Sequence, residues 1–206
     1  MISVCNRCLF LHVRKTGGIS IKKALQKISC KESDLDNMWR KVENNGNQKP
    51  RLFTHHTTLK HYNELLEESF FKSLFKFSII RNPWERLISL YFSPHRGDVS
   101  WNRKEFILLI ENENILSNYI CLDNLDKSIY FDRNAQLDRD INFLMRYEKI
   151  ESDFEDIQKI LGLQNIKLPF LNKSCRNDYR SYYDDSLIEL VRFKFIQEIE
   201  FGKYKF

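Results

Sequence analysis

Residues Phe10–Ile21 read FLHVRKTGGISI. An apolar run meets two basic residues, and Thr16, Gly17, Gly18 and Ser20 then lead into SIKKALQKI (20–28), where Ile21, Leu25 and Ile28 share one helical face. This is a strand, a tight turn and a helix start. Glycines let backbone approach a ligand closely, and the N–H groups and dipole of a helix start attract negative charge. Lys15 adds a mobile point charge. The stretch therefore reads as an anion cradle, with a plain turn beside a solvated lysine as the alternative. The lysine precedes the glycines, so this is not the Gly-x-x-x-x-Gly-Lys-Ser/Thr loop of common nucleotide triphosphatases, and it is not Gly-x-Gly-x-x-Gly.

A second junction has the same form. LFKFSII (74–80) is a strand that stops at Arg81-Asn82-Pro83, and PWERLISLYF (83–92) is a helix. Asn82 is a natural cap, Pro83 suits the first helical position, and Glu85 gives capping-box spacing. Arg81 offers a two-pronged fork and Ser89 a hydroxyl for another anion; Arg86 and Ser89 share a helix face. The rest of the chain continues the alternation: CLFLHV (8–13) and INFLMRY (141–147) as strands, RLFTHH (51–56) as a short extended piece, and helices at 60–70, 103–112, 150–162 and 185–199. Strands alternating with helices predict an α/β fold, a three-layer sandwich with a central, mainly parallel sheet flanked by helices. Ligands sit at the carboxyl ends of such strands, where both loops fall.

The 206 residues contain no internal repeat and no linker, and predict a single domain over 1–206. A net charge of +5 suits anionic ligands but is too scattered to indicate a nucleic-acid partner. The longest apolar runs, such as FILLI (106–110), are too short to span a bilayer, and the N-terminus has no secretory pattern, so a soluble, cytoplasmic protein is expected. The five cysteines, Cys5, Cys8, Cys30, Cys121 and Cys175, read as reduced thiols, and no ligand cluster implies a metal.

Taken together, the motifs resemble those of sulfotransferases. FLHVRKTGGISI is similar to the family's 5′-phosphosulfate loop, Pro-Lys-Thr-Gly-Gly-Thr-Ser, and IIRNPWERLISLY to its 3′-phosphate motif, Arg-Asn-Pro-x-x-Arg-x-x-Ser-x-Tyr. FTHHTTLKHY, FLMRYEKIESDF and LPFLNKSCRNDYRSYYDDSLIELV resemble three further segments in the family's order, the nearest group being carbohydrate-type sulfotransferases and their small bacterial relatives. The resemblance covers about 8–206 and implies a P-loop-like fold. It also implies transfer of a sulfuryl group from 3′-phosphoadenosine 5′-phosphosulfate (PAPS) to an acceptor hydroxyl, on a carbohydrate or glycoconjugate, without a metal.

By that resemblance Thr16, Gly17, Gly18, Ile19 and Ser20 wrap the 5′-phosphate, with Lys15 on the bridging oxygen; Arg14 is placed with the cofactor as well, where it adds a positive charge near the sulfonate or else only alters the entry angle. Arg81 and Ser89 take the 3′-phosphate, and His56, with His55 second, is the base. His12 lies beside the loop, and Asn172 and Lys173 are placed to close over the nucleotide. Arg14 stands where the family has proline, Ile19 where it has a threonine hydroxyl, His55 where lysine is common and Lys149 where an asparagine is usual. Acceptor contacts are expected from 29–50, 93–104 and 121–140; His95, Arg96, Trp101 and Arg103 suit an anionic sugar, with a plain solvated loop as the equal alternative. The alternatives are a catalytically weakened nucleotide-binding protein of the same fold and a nucleotide or small-molecule kinase. The sequence does not indicate an oligomeric state.

Overall fold

The computed structural model describes residues 1–27, 56–121, 141–163, 166–169 and 176–206. Among the described residues four strands form one sheet in the order β1 (Ile2–Ser3), β2 (Cys8–Leu11), β3 (Phe75–Ile80), β4 (Phe143–Arg146). β1 pairs antiparallel with β2, while β2–β3 and β3–β4 are parallel, with Phe10 opposite Phe77 and Phe77 opposite Phe143. The expected mainly parallel sheet is thus present. The edge strand β1, too short to show a period, was not foreseen. β2 stops at Leu11 rather than Val13.

Strand alternation sends apolar residues to both faces, as in a sheet covered by helices on each side. Phe10, Phe77, Ile79 and Met145 pack with Ile21, Ala24 and Leu25 of α1 (Gly18–Gln26). Leu9, Leu11, Ile80 and Leu144 pack on the opposite face with Leu59 and Tyr62 of α2 (Leu59–Leu65) and Phe71 of α3 (Glu68–Ser73). Each such side chain contributes roughly 1.5–3 kcal/mol by leaving water. One helix expected over 60–70 is two, because Glu67 leaves helical conformation and caps α3 through the N–H groups of Ser69 and Phe70.

A third cluster joins α4 (Pro83–Tyr91) and α5 (Arg103–Asn112) to α8 (Asp185–Lys194) around Trp84, Tyr91, Phe106 and Phe195. Between them lie the short α6 (Ser117–Ile120) and α7 (Ile150–Ile160), which packs Phe154 and Ile157 under the sheet. The helix expected over 185–199 breaks at Phe195 and continues as α9 (Ile196–Gly202). No helix among the described residues is long and apolar enough to cross a membrane.

The cysteine reading needs one correction: Cys5 is disulfide-bonded. Cys8, its neighbour in the Cys-x-x-Cys, is a free, buried thiol whose pKa burial pushes up to about 11, which makes it a poor nucleophile. Cys30 and Cys175 lie outside the described residues, as do 51–55, 29–50 and all of 121–140 but Cys121.

Candidate functional site

The turn after β2 is built from two left-handed residues, Lys15 (φ 63°) and Gly17 (φ 82°), on either side of Thr16. A left-handed lysine is uncommon, and non-glycine residues hold this conformation where the surroundings impose it. Thr16 supplies part of that restraint. Its hydroxyl, fully buried, donates to the Val13 carbonyl at 2.8 Å. The Thr16 side chain therefore staples the turn and does not line the cavity. Gly18 is fixed by packing: a Cβ there would stand 2.0 Å from His12 Cδ2. The first turn of α1 has no side-chain cap and no acidic residue, so its positive end is left uncompensated beside the cavity.

At the second junction Asn82 caps α4, accepting from the N–H groups of Trp84 and Glu85. Glu85 does not complete the capping box. The Asn82 N–H instead donates to Glu148 at 2.8 Å. Glu85 turns to two guanidiniums: Arg81 Nη2 donates to its Oε1 at 2.7 Å and Arg81 Nε to its Oε2 at 3.3 Å, and Arg176 Nη2 reaches Oε1 at 3.4 Å. The Arg81 guanidinium also lies over the Tyr147 ring, 4.1 Å from its centroid, and its Nη1 donates to the Lys15 carbonyl at 3.1 Å. That last bond ties the two loops together.

A cavity of about 900 Å³ opens where they meet. Arg14, Lys15, Gly17, Gly18, Ile19, Ser20, His56, Arg81 and Ser89 all line it, so the sequence-derived set converges, Thr16 excepted. Lys15 Nζ points to Ser93 Oγ at 3.4 Å. Burial, with Arg81, Arg176 and Arg14 nearby, holds its ammonium below the ordinary lysine value. Arg14, Lys15, Arg81 and Arg96 line the one hollow, a standing attraction for a polyanion.

His56 Nδ1 lies 2.9 Å from the His12 carbonyl, and the two rings pack with centroids 4.7 Å apart. In the neutral ring Nδ1–H donates to that carbonyl, which places the lone pair on Nε2. His12 also stacks on Phe10, packs against Gly18 and lines the cavity beside His56. His55, Asn172 and Lys173 lie outside the described residues.

On the side of α5, Arg14 Nη1 donates to Glu113 Oε2 at 3.2 Å and Arg86 Nη1 to Glu113 Oε1 at 2.9 Å. Arg86 and Glu113 are buried, so Arg86 shares no surface with Ser89 in the cavity. His95 and Arg96 line the hollow. Trp101 does not; it packs among Tyr91, Phe106 and Tyr182, and Arg103 pairs with Asp184 at 2.7 Å.

Arg176, Glu113 and Tyr147 were missed in the sequence reading. Arg176 falls within a motif-bearing segment and had that much signal. Glu113 had none, since its partners lie far away in sequence. Compared with known proteins, residues 1–187 match the profile of the sulfotransferase family. No curated protein and no solved structure matches the chain.

Proposed function

Because the chain belongs to the sulfotransferase family, whose common chemistry is sulfuryl transfer, we propose that it uses PAPS as donor and sulfates a hydroxyl on a carbohydrate or glycoconjugate. The observation that carries this reading is the bond from Arg81 to the Lys15 carbonyl, which brings both anion-binding loops into one hollow with His56. A donor with a 5′-phosphosulfate and a 3′-phosphate needs two cradles at one site.

In this reading the first turn of α1, with Gly17 and Gly18, receives the 5′-phosphate, and Lys15 holds the oxygen that bridges it to sulfur. Arg81 and Ser89 receive the 3′-phosphate. The acceptor oxygen attacks sulfur in line. The new O–S bond forms as the bond to the 5′-phosphate breaks, and the acceptor's proton passes to His56 Nε2. Positioning and charge stabilisation supply most of the acceleration, as in phosphoryl transfer. The fold itself supports a P-loop-like relationship through its parallel strands and glycine turn. A chain that binds the donor without turnover remains the second reading, favoured by the missing hydroxyl at Ile19. The reading requires no metal. A cytoplasmic placement is the expectation from the sequence; the Cys5 disulfide speaks against it, since cytosolic reductants keep thiols open, and a thiol count on protein taken from cells decides.

The test joins binding and turnover. Calorimetry should show adenosine 3′,5′-bisphosphate binding to the native chain and strongly weakened binding to Lys15→Ala and Arg81→Ala. Transfer of labelled sulfuryl to a glycan panel should fall by about 10²–10⁴-fold in His56→Ala. Full bisphosphate binding by both loop variants would remove the assignment.

A further inference from the structure

One carboxylate serves two guanidiniums on the α5 side of the cavity. Glu113, 3% exposed in its side chain, holds Arg86, 4% exposed, and Arg14, 46% exposed. Two positive charges against one negative leave the group a net cation; of the two guanidiniums Arg14 lines the hollow and Arg86 does not, and Glu113 lines it beside Arg14. Only Nη1 of Arg14 is engaged; Nε and Nη2 make no hydrogen bond among the described residues. Glu113 thus fixes a guanidinium by one corner and leaves its other donors presented to the cavity. His95 and Arg96 line the same hollow. Arg96 leans on Glu105 at 3.4 Å and on the Tyr91 ring. The remaining acid on the wall, Glu151, belongs to α7 and so to the other side, with Tyr147 and Ile150.

We propose that Arg14 selects an acceptor carrying an anionic oxyacid group, a carboxylate or a sulfate ester, beside the hydroxyl that is modified. The proposal rests on the sulfotransferase reading and adds to it the charge of the acceptor. A guanidinium with two adjacent donors matches two oxygens of such a group, whereas a neutral hydroxyl takes one. The donor's phosphates have their own cations in Lys15 and Arg81, whose guanidinium points toward Glu85 and Tyr147. Arg14, which the resemblance set beside the donor, points the other way, toward Glu113, and is left for the second substrate. The residue is a specificity determinant that touches the acceptor and takes no part in the transfer.

The experiment uses the full chain saturated with adenosine 3′,5′-bisphosphate. It is titrated calorimetrically with a hexuronate-containing tetrasaccharide, with the same tetrasaccharide after reduction of its carboxyls to alcohols, and with a uronate-free sulfated tetrasaccharide. At least one acidic sugar should bind about tenfold or more tightly than the reduced one, the scale of a single charged hydrogen-bonded contact; which one identifies carboxylate or sulfate. Arg14→Gln should erase that preference and leave weak binding of the reduced sugar as it was. Arg14→Lys, which keeps the charge and loses the fork, should retain part of it. Equal or equally absent binding of acidic and reduced sugars overturns the proposal and leaves the donor assignment standing, as does a preference that persists in Arg14→Gln. If Arg14→Gln weakens the bisphosphate as much as Arg81→Ala does, Arg14 belongs to the donor and the proposal fails. If the native chain binds no bisphosphate, the sulfotransferase reading itself fails and takes this one with it.

Discussion

Two glutamates in this molecule each stand between two arginines, and they differ in almost everything else. Glu85 sits one turn into α4, with Arg81 four residues before it and Arg176 brought from 91 positions away. Its side chain is 30% exposed, and its partner Arg81 lines the cavity. Glu113 follows α5 and is 3% exposed; its partners Arg86 and Arg14 lie 27 and 99 positions away. The Glu85 group is a local helix pair to which a distant arginine has been added. The Glu113 group exists only when the chain is folded. A carboxylate near water can lose an arginine to a phosphate and be rehydrated, whereas a buried one has no substitute for its partners. The first arrangement suits a site whose arginines must change partner when an anion arrives. The second suits a rigid post.

The largest effect should come from breaking the post. Glu113→Gln leaves Arg86 buried with its charge uncompensated, and denaturant melts should show a loss of about 3–5 kcal/mol. Arg81→Ala should leave the fold far less affected and lower bisphosphate affinity by about 10–100-fold in calorimetry, the range for charged hydrogen bonds to a phosphate. Glu85→Gln tests the contrast directly. Its stability loss should be smaller, about 1–3 kcal/mol, because Glu85 is itself partly exposed although Arg81 and Arg176 are only 9% and 10% exposed. Equal losses for the two glutamine variants would end the distinction between them.

The smallest effect concerns pH. Lys15 holds its proton less tightly than an ordinary lysine because it is partly desolvated and surrounded by cations. A bound phosphate favours the charged form, so binding is strongest where free Lys15 is already protonated. Bisphosphate affinity should be flat near neutrality and fall as pH rises through the lowered Lys15 value, within the range below 10.5. Lys15→Arg should move that fall to higher pH.

Much of the site was legible beforehand because its signals are local. The Asn82 cap, Pro83 at the helix start and the glycine pair act over a few residues, and the structure places each where its chemistry requires. Thr16 shows the limit of such reading. A threonine beside an anion loop invites a phosphate contact, yet its hydroxyl belongs to the Val13 carbonyl. Glu85 shows the same limit, since capping-box spacing pointed to the Asn82 N–H, which Glu148 holds instead. In both cases a second partner, close only in space, competes for the same side chain.

The sequence by itself determined the strand–turn–helix junctions, the alternating α/β order and which basic and hydroxyl residues stand at those junctions, because periodicity, capping and turn chemistry operate within a few positions. The tertiary structure alone decided how the arginines are shared out: Arg81 and Arg176 to Glu85, Arg86 and Arg14 to Glu113. Every arginine carries the same charge and the same fork, so nothing in its identity names its partner. Which carboxylate it meets, and whether water is there as well, follows from how the helices pack.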